Sequence, residues 1–148
     1  RRNAFILTVR ITVAGNPGRE TASCRTETYP GILRDPLPEK ISINTTDLSS
    51  IFFNLLDNAI EACSASGNPD PEIRLSANIS NGFLTVYMHN TKNPMQTFTH
   101  KTTKSEPGAH GYGLSIIEDI CQKYNGSYQW IDHNNTFDSI VLLQIKNL

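Results

Sequence analysis

The chain carries little charge, few cysteines and no long apolar run. Charged residues make up 18% of it and the net charge is −1 at pH 7, so it lacks the basic surplus that a nucleic acid or an anionic membrane would call for. No apolar stretch approaches the roughly 18 residues of a membrane-spanning helix, and no signal peptide opens the sequence. The three cysteines, Cys24, Cys63 and Cys121, lie far apart with no C-x-x-C pair. That odd, scattered set argues against disulfides or zinc and for reduced thiols in a cytoplasmic setting. With 148 residues and 38% hydrophobic side chains there is material for a single domain around one core, and neither a repeat nor a second domain is visible.

The strongest pattern runs from Leu48 to Cys63. Wound at about 100° per residue, it gathers Leu48, Ile51, Phe52, Leu55, Leu56, Ala59 and Cys63 on one side, a core-facing stripe. Asn54, Asn58 and Glu61 fall on the other side, with Asp57 beside them. Asparagine is a mediocre helix former because its amide competes with the backbone. Two of them one turn apart, backed by an apolar stripe, offer amide oxygens suited to a hard cation such as Mg²⁺. The competing reading is a plain amphipathic helix whose outer face is merely polar. Thr45 or Thr46 is placed to cap this helix, with Asp47 favourable in its first turn.

Around the helix the periodicity is that of strands. Phe5 to Val13 alternates, and a poorer alternation follows from Cys24 to Tyr29. Ile41 and Ile43 suggest a short edge strand. Gly67, Pro69 and Pro71 end the central helix, and Glu72–Ile79 and Phe83–His89 flank Asn81-Gly82, a strong hairpin signal. From Thr91 to Ala109 the pattern disappears into nineteen residues rich in Thr, Lys, Pro and Gly. An internal loop of that length is usually a functional lid or a disordered connection. Leu114, Ile117, Ile120, Cys121 and Tyr124 then recur at helical spacing, Asn125-Gly126 closes the helix, and a last hairpin turns at His133 to Thr136. The layout is α+β, a sheet covered on one face by helices.

His110-Gly111-Tyr112-Gly113-Leu114 stands where the loop meets the second helix. Glycine allows close backbone approach, and the first turn of a helix presents unpaired N–H groups, so together they can form a phosphate site. Taken alone the spacing equally fits a simple turn. Some fifty residues after the asparagine pair, with a lid-length loop between, it gains weight: one motif to hold a metal, the other to hold the phosphates the metal bridges.

The run Asn54-Leu-Leu-Asp57-Asn58-Ala-Ile-Glu61-Ala-Cys63 resembles the asparagine box of the GHKL ATPase superfamily, and specifically of sensor histidine kinases. Thr102-Thr103-Lys104 with His110-Gly111-Tyr112-Gly113-Leu114 is similar to the lid and second glycine box of the peptide-pheromone (quorum-sensing) branch. The resemblance covers about Leu37 to Ile145 and matches residues 1–40 poorly. It implies a single ATP-binding catalytic domain in the Bergerat fold. That fold is a two-layer α/β sandwich with a mixed, mostly antiparallel sheet and a long ATP lid, here at about 91–110.

Carried over residue by residue, the resemblance implies that Asn58 ligates Mg²⁺, with Asn54 the second candidate for metal or phosphates. Gly111 and Gly113 let the N–H groups around Tyr112 and Leu114 wrap the phosphates, with His110 and Lys104 as further donors. Thr136, in Asn135-Thr136-Phe137, contributes its hydroxyl to adenine. Most relatives accept the adenine amino group on the Asp of a first glycine box, D-x-G-x-G. This chain has His89-Asn90-Thr91-Lys92-Asn93-Pro94 there, so Asn90 supplies a weaker, neutral acceptor.

The same resemblance implies transfer of the γ-phosphoryl of ATP to a histidine on a dimerisation segment, with a response regulator as the next partner. None of His89, His100, His110 or His133 lies on a helix preceding the domain, so the chain reads as a module cut from a longer, membrane-anchored sensor, expected to be monomeric and of little activity when isolated. The alternatives are a protein-serine kinase of the anti-sigma-factor type and a non-catalytic interaction module on the same fold.

Overall fold

The computed structural model describes residues 5–12, 41–98 and 112–146, the first stretch as backbone. The central helix, α1, spans Thr45–Ser64 and buries Ile51, Leu55, Ala59 and Cys63, the i, i+4 rows of the apolar stripe. Its N-cap is Asn44, one residue before the expected threonines. The Asn44 side chain accepts from the Thr46 N–H at 2.7 Å, and asparagine is a stronger cap than threonine. Asp47 lies in the first turn, where the helix dipole favours a negative charge. At the other end Ala65 N–H bonds Glu61 O, Ser66 Oγ donates to Cys63 O, and Gly67 takes a φ of +69°.

Five strands form one sheet in the order β1-β2-β3-β5-β4. Here β1 is Phe5–Thr12, β2 Glu72–Ser80, β3 Phe83–Thr91, β4 Ser127–Asp132 and β5 Thr136–Gln144. All four pairings are antiparallel, so the mixed sheet expected from the resemblance narrows, among the described residues, to an antiparallel one. Asn81 and Gly82 both take positive φ, 53° and 78°, as the tight β2–β3 turn requires. Ile41 and Ile43 make no strand. Their segment bends to deliver Asn44 to the helix cap; Ile43 is buried, and Ser42 Oγ accepts from Lys146 N–H. The expected strand at Cys24–Tyr29 lies outside the described residues.

The second helix, α2, spans Tyr112–Lys123 and lies with α1 on one face of the sheet. Ile73, Ala77, Leu84, Val86, Met88, Val141 and Leu143 project from the strands to meet Ile51, Leu55, Ile117 and Cys121 in one core. Two contacts show that the helices run antiparallel. Asp47 at the start of α1 accepts from Lys123 Nζ and from the Tyr124 hydroxyl, each at 2.6 Å, at the end of α2. About two turns further along α1, Asn54 lies against Gly113 at the beginning of α2. The Tyr124 hydroxyl also accepts from Asn44 N–H at 2.9 Å, so one side chain fastens the α1 cap to α2. No helix among the described residues is long and apolar enough to cross a membrane.

Asn125 takes a φ of 49° after α2, and Gly126 N–H bonds Cys121 O at 2.7 Å. A Cβ on Gly126 would lie 1.8 Å from the Leu142 carbonyl oxygen, which is backbone and cannot turn aside. Gly126→Ala is expected to destabilise by at least the roughly 1–3 kcal/mol of forced overpacking, read as a drop in urea midpoint. Acid should also weaken the helix pair. The Asp47 carboxyl is held below its ordinary value of 3.8, first by the Lys123 hydrogen bond and then by that from Tyr124. A folded-state value depressed below the unfolded one gives stability that is complete above the unfolded value and is lost as pH falls through the folded one. Asp47→Asn should therefore flatten the fall in urea midpoint between about pH 4 and pH 2; an unchanged slope would remove Asp47 from the account.

Candidate functional site

Asn54 is half-buried because α2 begins beside it. Its Nδ2 donates to Ser50 O at 2.6 Å, one turn back on α1, and this leaves Oδ1 turned toward α2. A Cβ on Gly113 would meet that oxygen at 2.8 Å and the Asn54 Cγ at 3.4 Å. The glycine is therefore what allows the first turn of α2, with its unpaired N–H groups, to stand against the amide. Leu114 packs its side chain on the core, so it can offer the site only its backbone.

Asn58 lies one turn further along α1, about 6 Å of rise, and is half-buried. No hydrogen bond engages its amide in the structure. Beyond it, the buried Cys63 thiol donates to Thr91 O and Glu72 O, both at 3.4 Å, so the end of α1 sits over the ends of β2 and β3. Asn58 thus lies between the start of α2 and the end of β3. Burial pushes the Cys63 thiol up to about 11, which makes it an unreactive filler.

At the end of β3, Asn90 is 4% exposed and lies between Ile73 and Phe137 in the ladder. Its Nδ2 donates to Thr91 O at 3.1 Å, and nothing bonds its Oδ1 in the structure. Thr91 Oγ1 accepts from Glu72 N–H. Thr136 pairs with Thr91 across the β3–β5 ladder, and its hydroxyl too takes no hydrogen bond. Asn54 and Asn90 thus have a donor tied and an oxygen left over, Asn58 has nothing tied, and Thr136, two residues before Asp138, shares by strand alternation the sheet face of Asp138 and not that of Asn90. Among the described residues no group of three or more His, Cys, Asp or Glu could hold a metal. A cation here would rely on amide oxygen, water and ligand oxygens, a donor set that fits Mg²⁺.

Lys104, His110 and Gly111 lie outside the described residues, as does the side chain of Tyr112. The first part of the expected lid, Thr91 to Phe98, is instead fastened to the β4–β5 hairpin. Lys92 N–H bonds Asn135 O, Phe98 N–H bonds Asp132 Oδ2, and the Phe98 and Phe137 rings stand 4.7 Å apart. Composition alone gave no sign of this, because Lys92 reads as a loop residue and Asp132 as a strand end until the chain brings them together. Equally unforeseen is a cluster on the sheet face away from the helices. Asp138 there accepts from His89 Nδ1 and from His133 Nε2, at 2.5 and 3.0 Å. Burial works against ionisation of Asp138, yet these bonds and one from Tyr87 hold its carboxyl below the usual range. Trp130 is half-buried on the helix side and donates Nε1–H to Glu118 at 3.1 Å, a packing role.

A helix pair over one face of an antiparallel sheet, with amides collected at one end, defines a two-layer sandwich of the Bergerat class. Residues 43–147 match the GHKL domain family, and the chain belongs to it. The catalytic domain of histidine kinase ThkA, in a nucleotide-free form, has the same fold, with a TM-score of 0.53 at 21% identity over 68% of each chain. Acinetobacter baumannii histidine kinase AdeS gives a TM-score of 0.51 at 14% identity, over 69% of this chain and 47% of that one. The chain therefore spans about half the length of the AdeS structure. No curated protein matches it.

Gly113→Ala separates the site from the fold. Alanine in a helix is favoured over glycine by up to about 1 kcal/mol, so melting should hold or rise, while the Asn54 amide must move. If this crevice takes nucleotide, affinity for Mg·ATP should fall about tenfold or more, the worth of one well-placed hydrogen bond. A titration showing unchanged affinity would dissociate the Asn54–Gly113 approach from binding.

Proposed function

We propose that this GHKL domain binds Mg·ATP between α1, the start of α2 and the end of β3. We further propose that it passes the γ-phosphoryl group to a histidine carried on a separate dimerisation segment. The observation that supports this best is the state of the amides. Asn54 and Asn90 each spend an N–H on a neighbouring carbonyl, Asn58 spends nothing, and the oxygens of all three are left without a hydrogen bond. Acceptors in that arrangement suit a cation at one end and an exocyclic amino group at the other.

In this reading Asn58 holds Mg²⁺, with Asn54 supporting it, and the N–H groups of the first turn of α2 meet the phosphates. Lys104 and His110 add donors to the same phosphates. Asn90 Oδ1 recognises adenine; a part for the Thr136 hydroxyl rests on the sequence resemblance alone. The metal, when bound, neutralises charge on the transferring group; the chain's own residues align the triphosphate and exclude water. No residue of the site acts as a nucleophile, since the acceptor histidine belongs to the other segment. A response regulator would take the phosphoryl group next, and the sequence resemblance supports a sensor of the peptide-pheromone type.

One observation favours a second reading, a nucleotide-free interaction module: the position of the adenine-accepting carboxylate is held by a neutral amide, Asn90. A thermal shift decides between them. A ligand at 100 times its Kd stabilises by about 2.7 kcal/mol, so Mg·ATP should raise the melting temperature of the wild type, and Asn58→Ala should lose most of that rise. A melting curve indifferent to Mg·ATP would favour the module. Acid lability of the label after transfer from radioactive ATP to a partner segment would then identify phosphohistidine, whereas an acid-stable label would point to a serine kinase.

A further inference from the structure

The face of the sheet on which a strand residue stands decides which polar groups can meet one ligand. β5 carries two hydroxyls, Thr136 and Ser139, and strand alternation puts only Ser139 on the helix side with Asn90. Ser139 is 6% exposed. It stands opposite Met88 in the β3–β5 ladder and opposite Trp130 in the β4–β5 ladder, two residues along β5 from the Asn90–Phe137 pair. Ser139 and Asn90 are therefore diagonal neighbours on one face, about 7 Å apart. Neither polar tip is engaged within the chain: Asn90 gives Nδ2 to Thr91 O at 3.1 Å, and no hydrogen bond engages its Oδ1 or the Ser139 hydroxyl. Both atoms nevertheless reach the surface. Among the described residues the sole polar side-chain atom sealed from solvent without a partner is Asn78 Oδ1, on the other face of β2. Two nearly buried side chains, each with an unbonded oxygen at the surface, line an opening rather than fill the core.

The chemistry of this pair is neutral and works in both directions. A carboxylate only accepts, whereas an amide presents an acceptor and a donor, and a hydroxyl takes either part. A 6-aminopurine offers a donor at the ring edge where a 6-oxopurine offers an acceptor. As it stands, Asn90 meets the first with Oδ1. Turned over, it meets the second with Nδ2 and gives up the bond to Thr91 O. The two bases then differ by about one hydrogen bond, roughly tenfold in affinity. A fixed carboxylate would instead set a buried anion against the oxygen of the 6-oxopurine. Sites that leave a buried polar group unpaired in this way reject a ligand by on the order of 10⁴-fold.

We infer that Ser139 and Asn90 together form the base end of the site, and that this neutral pair admits GTP as well as ATP. The inference rests on the functional reading above and names the substrate class of that same site, purine nucleoside triphosphates of either kind.

Calorimetric titration of the full chain with Mg·ATP, Mg·GTP and Mg·UTP tests it, the last reporting a base too small to span the pair. The wild type should bind the two purine nucleotides within about tenfold of each other and Mg·UTP more weakly than either. Ser139→Ala should weaken both purine nucleotides by up to about tenfold and leave Mg·UTP as it was. Thr136→Val, on the other face, should change none of the three. Asn90→Asp should widen the preference for Mg·ATP over Mg·GTP by about tenfold or more. Because the Ser139 hydroxyl bonds nothing within the chain, Ser139→Ala should melt at or above the wild type, so its loss of affinity is not a loss of fold. Should Asn90→Asp fail to fold, the wild-type ratio decides by itself. A wild type that prefers Mg·ATP by more than the stated ratio, or that binds Mg·UTP as tightly as the purines, would overturn the inference. So would a loss on Thr136→Val without one on Ser139→Ala. Failure of the functional reading looks different: the wild type then binds none of the three nucleotides.

Discussion

The side chain that Gly113 does not have is the constraint on which the crevice depends. With no Cβ to displace it, the Asn54 amide stays against the first turn of α2, and acceptor oxygen and helix N-terminus face one space. That proximity needs both helices held in place along their length. The apolar rows of α1 and α2 hold them on the sheet, and the bonds from Asp47 to Lys123 and Tyr124 tie the far end of the pair. Two antiparallel helices joined at one end by an ion pair and at the other by a close contact have little freedom to slide. The polar site is thus an outcome of apolar packing, because the stripe that buries Ile51 and Leu55 also fixes where Asn54 and Asn58 stand.

The other end of the crevice is built differently. No helix reaches it except through Cys63, whose thiol lies over the Thr91 and Glu72 carbonyls. Asn90 stands there at the end of β3, held by the ladders to β2 and β5. Helix packing governs the Asn54–Asn58 half and the strand ladder the Asn90 half. Changes in the two halves should consequently be separable, since residues without shared partners tend to act additively.

Much of this was legible in the sequence where the signal was local. The 3.6-residue stripe from Leu48 to Cys63 marked α1, and Asn81-Gly82 marked the hairpin, each positive φ falling where the turn needs it. The cap was misplaced onto Thr45 or Thr46 by a single residue, because several good capping residues stand in a row. Ile41 and Ile43 alternate correctly for a strand but have no ladder to join, and two residues of pattern cannot reveal that. Long-range partnership was invisible. That Lys92 is buried, that Asp138 joins His89 to His133, and that Thr91 to Phe98 belongs to the sheet wall all follow from where β5 pairs with β3. Nothing about those residue types, taken singly, announces it.

The described residues proposed to meet the ligand are neutral, although Glu61 stands about one turn beyond Asn58 on the same face of α1. Asn54, Asn58, Asn90 and Thr136 are neutral, and Lys92 is neutralised by Asp132 before it can act on a ligand. For a triphosphate this matters. A carboxylate at the position of Asn90 or Asn58 would accept hydrogen bonds more strongly but would also repel an anion, and that repulsion is large in a half-dry cleft. Amide oxygens keep the acceptor geometry and give up the repulsion. A neutral amide is also the weaker acceptor, and the geometry compensates only if the oxygens are held in advance. Each internal bond seen here does that, Asn54 to Ser50 O and Asn90 to Thr91 O, by spending a donor that the site does not need in order to aim an acceptor that it does.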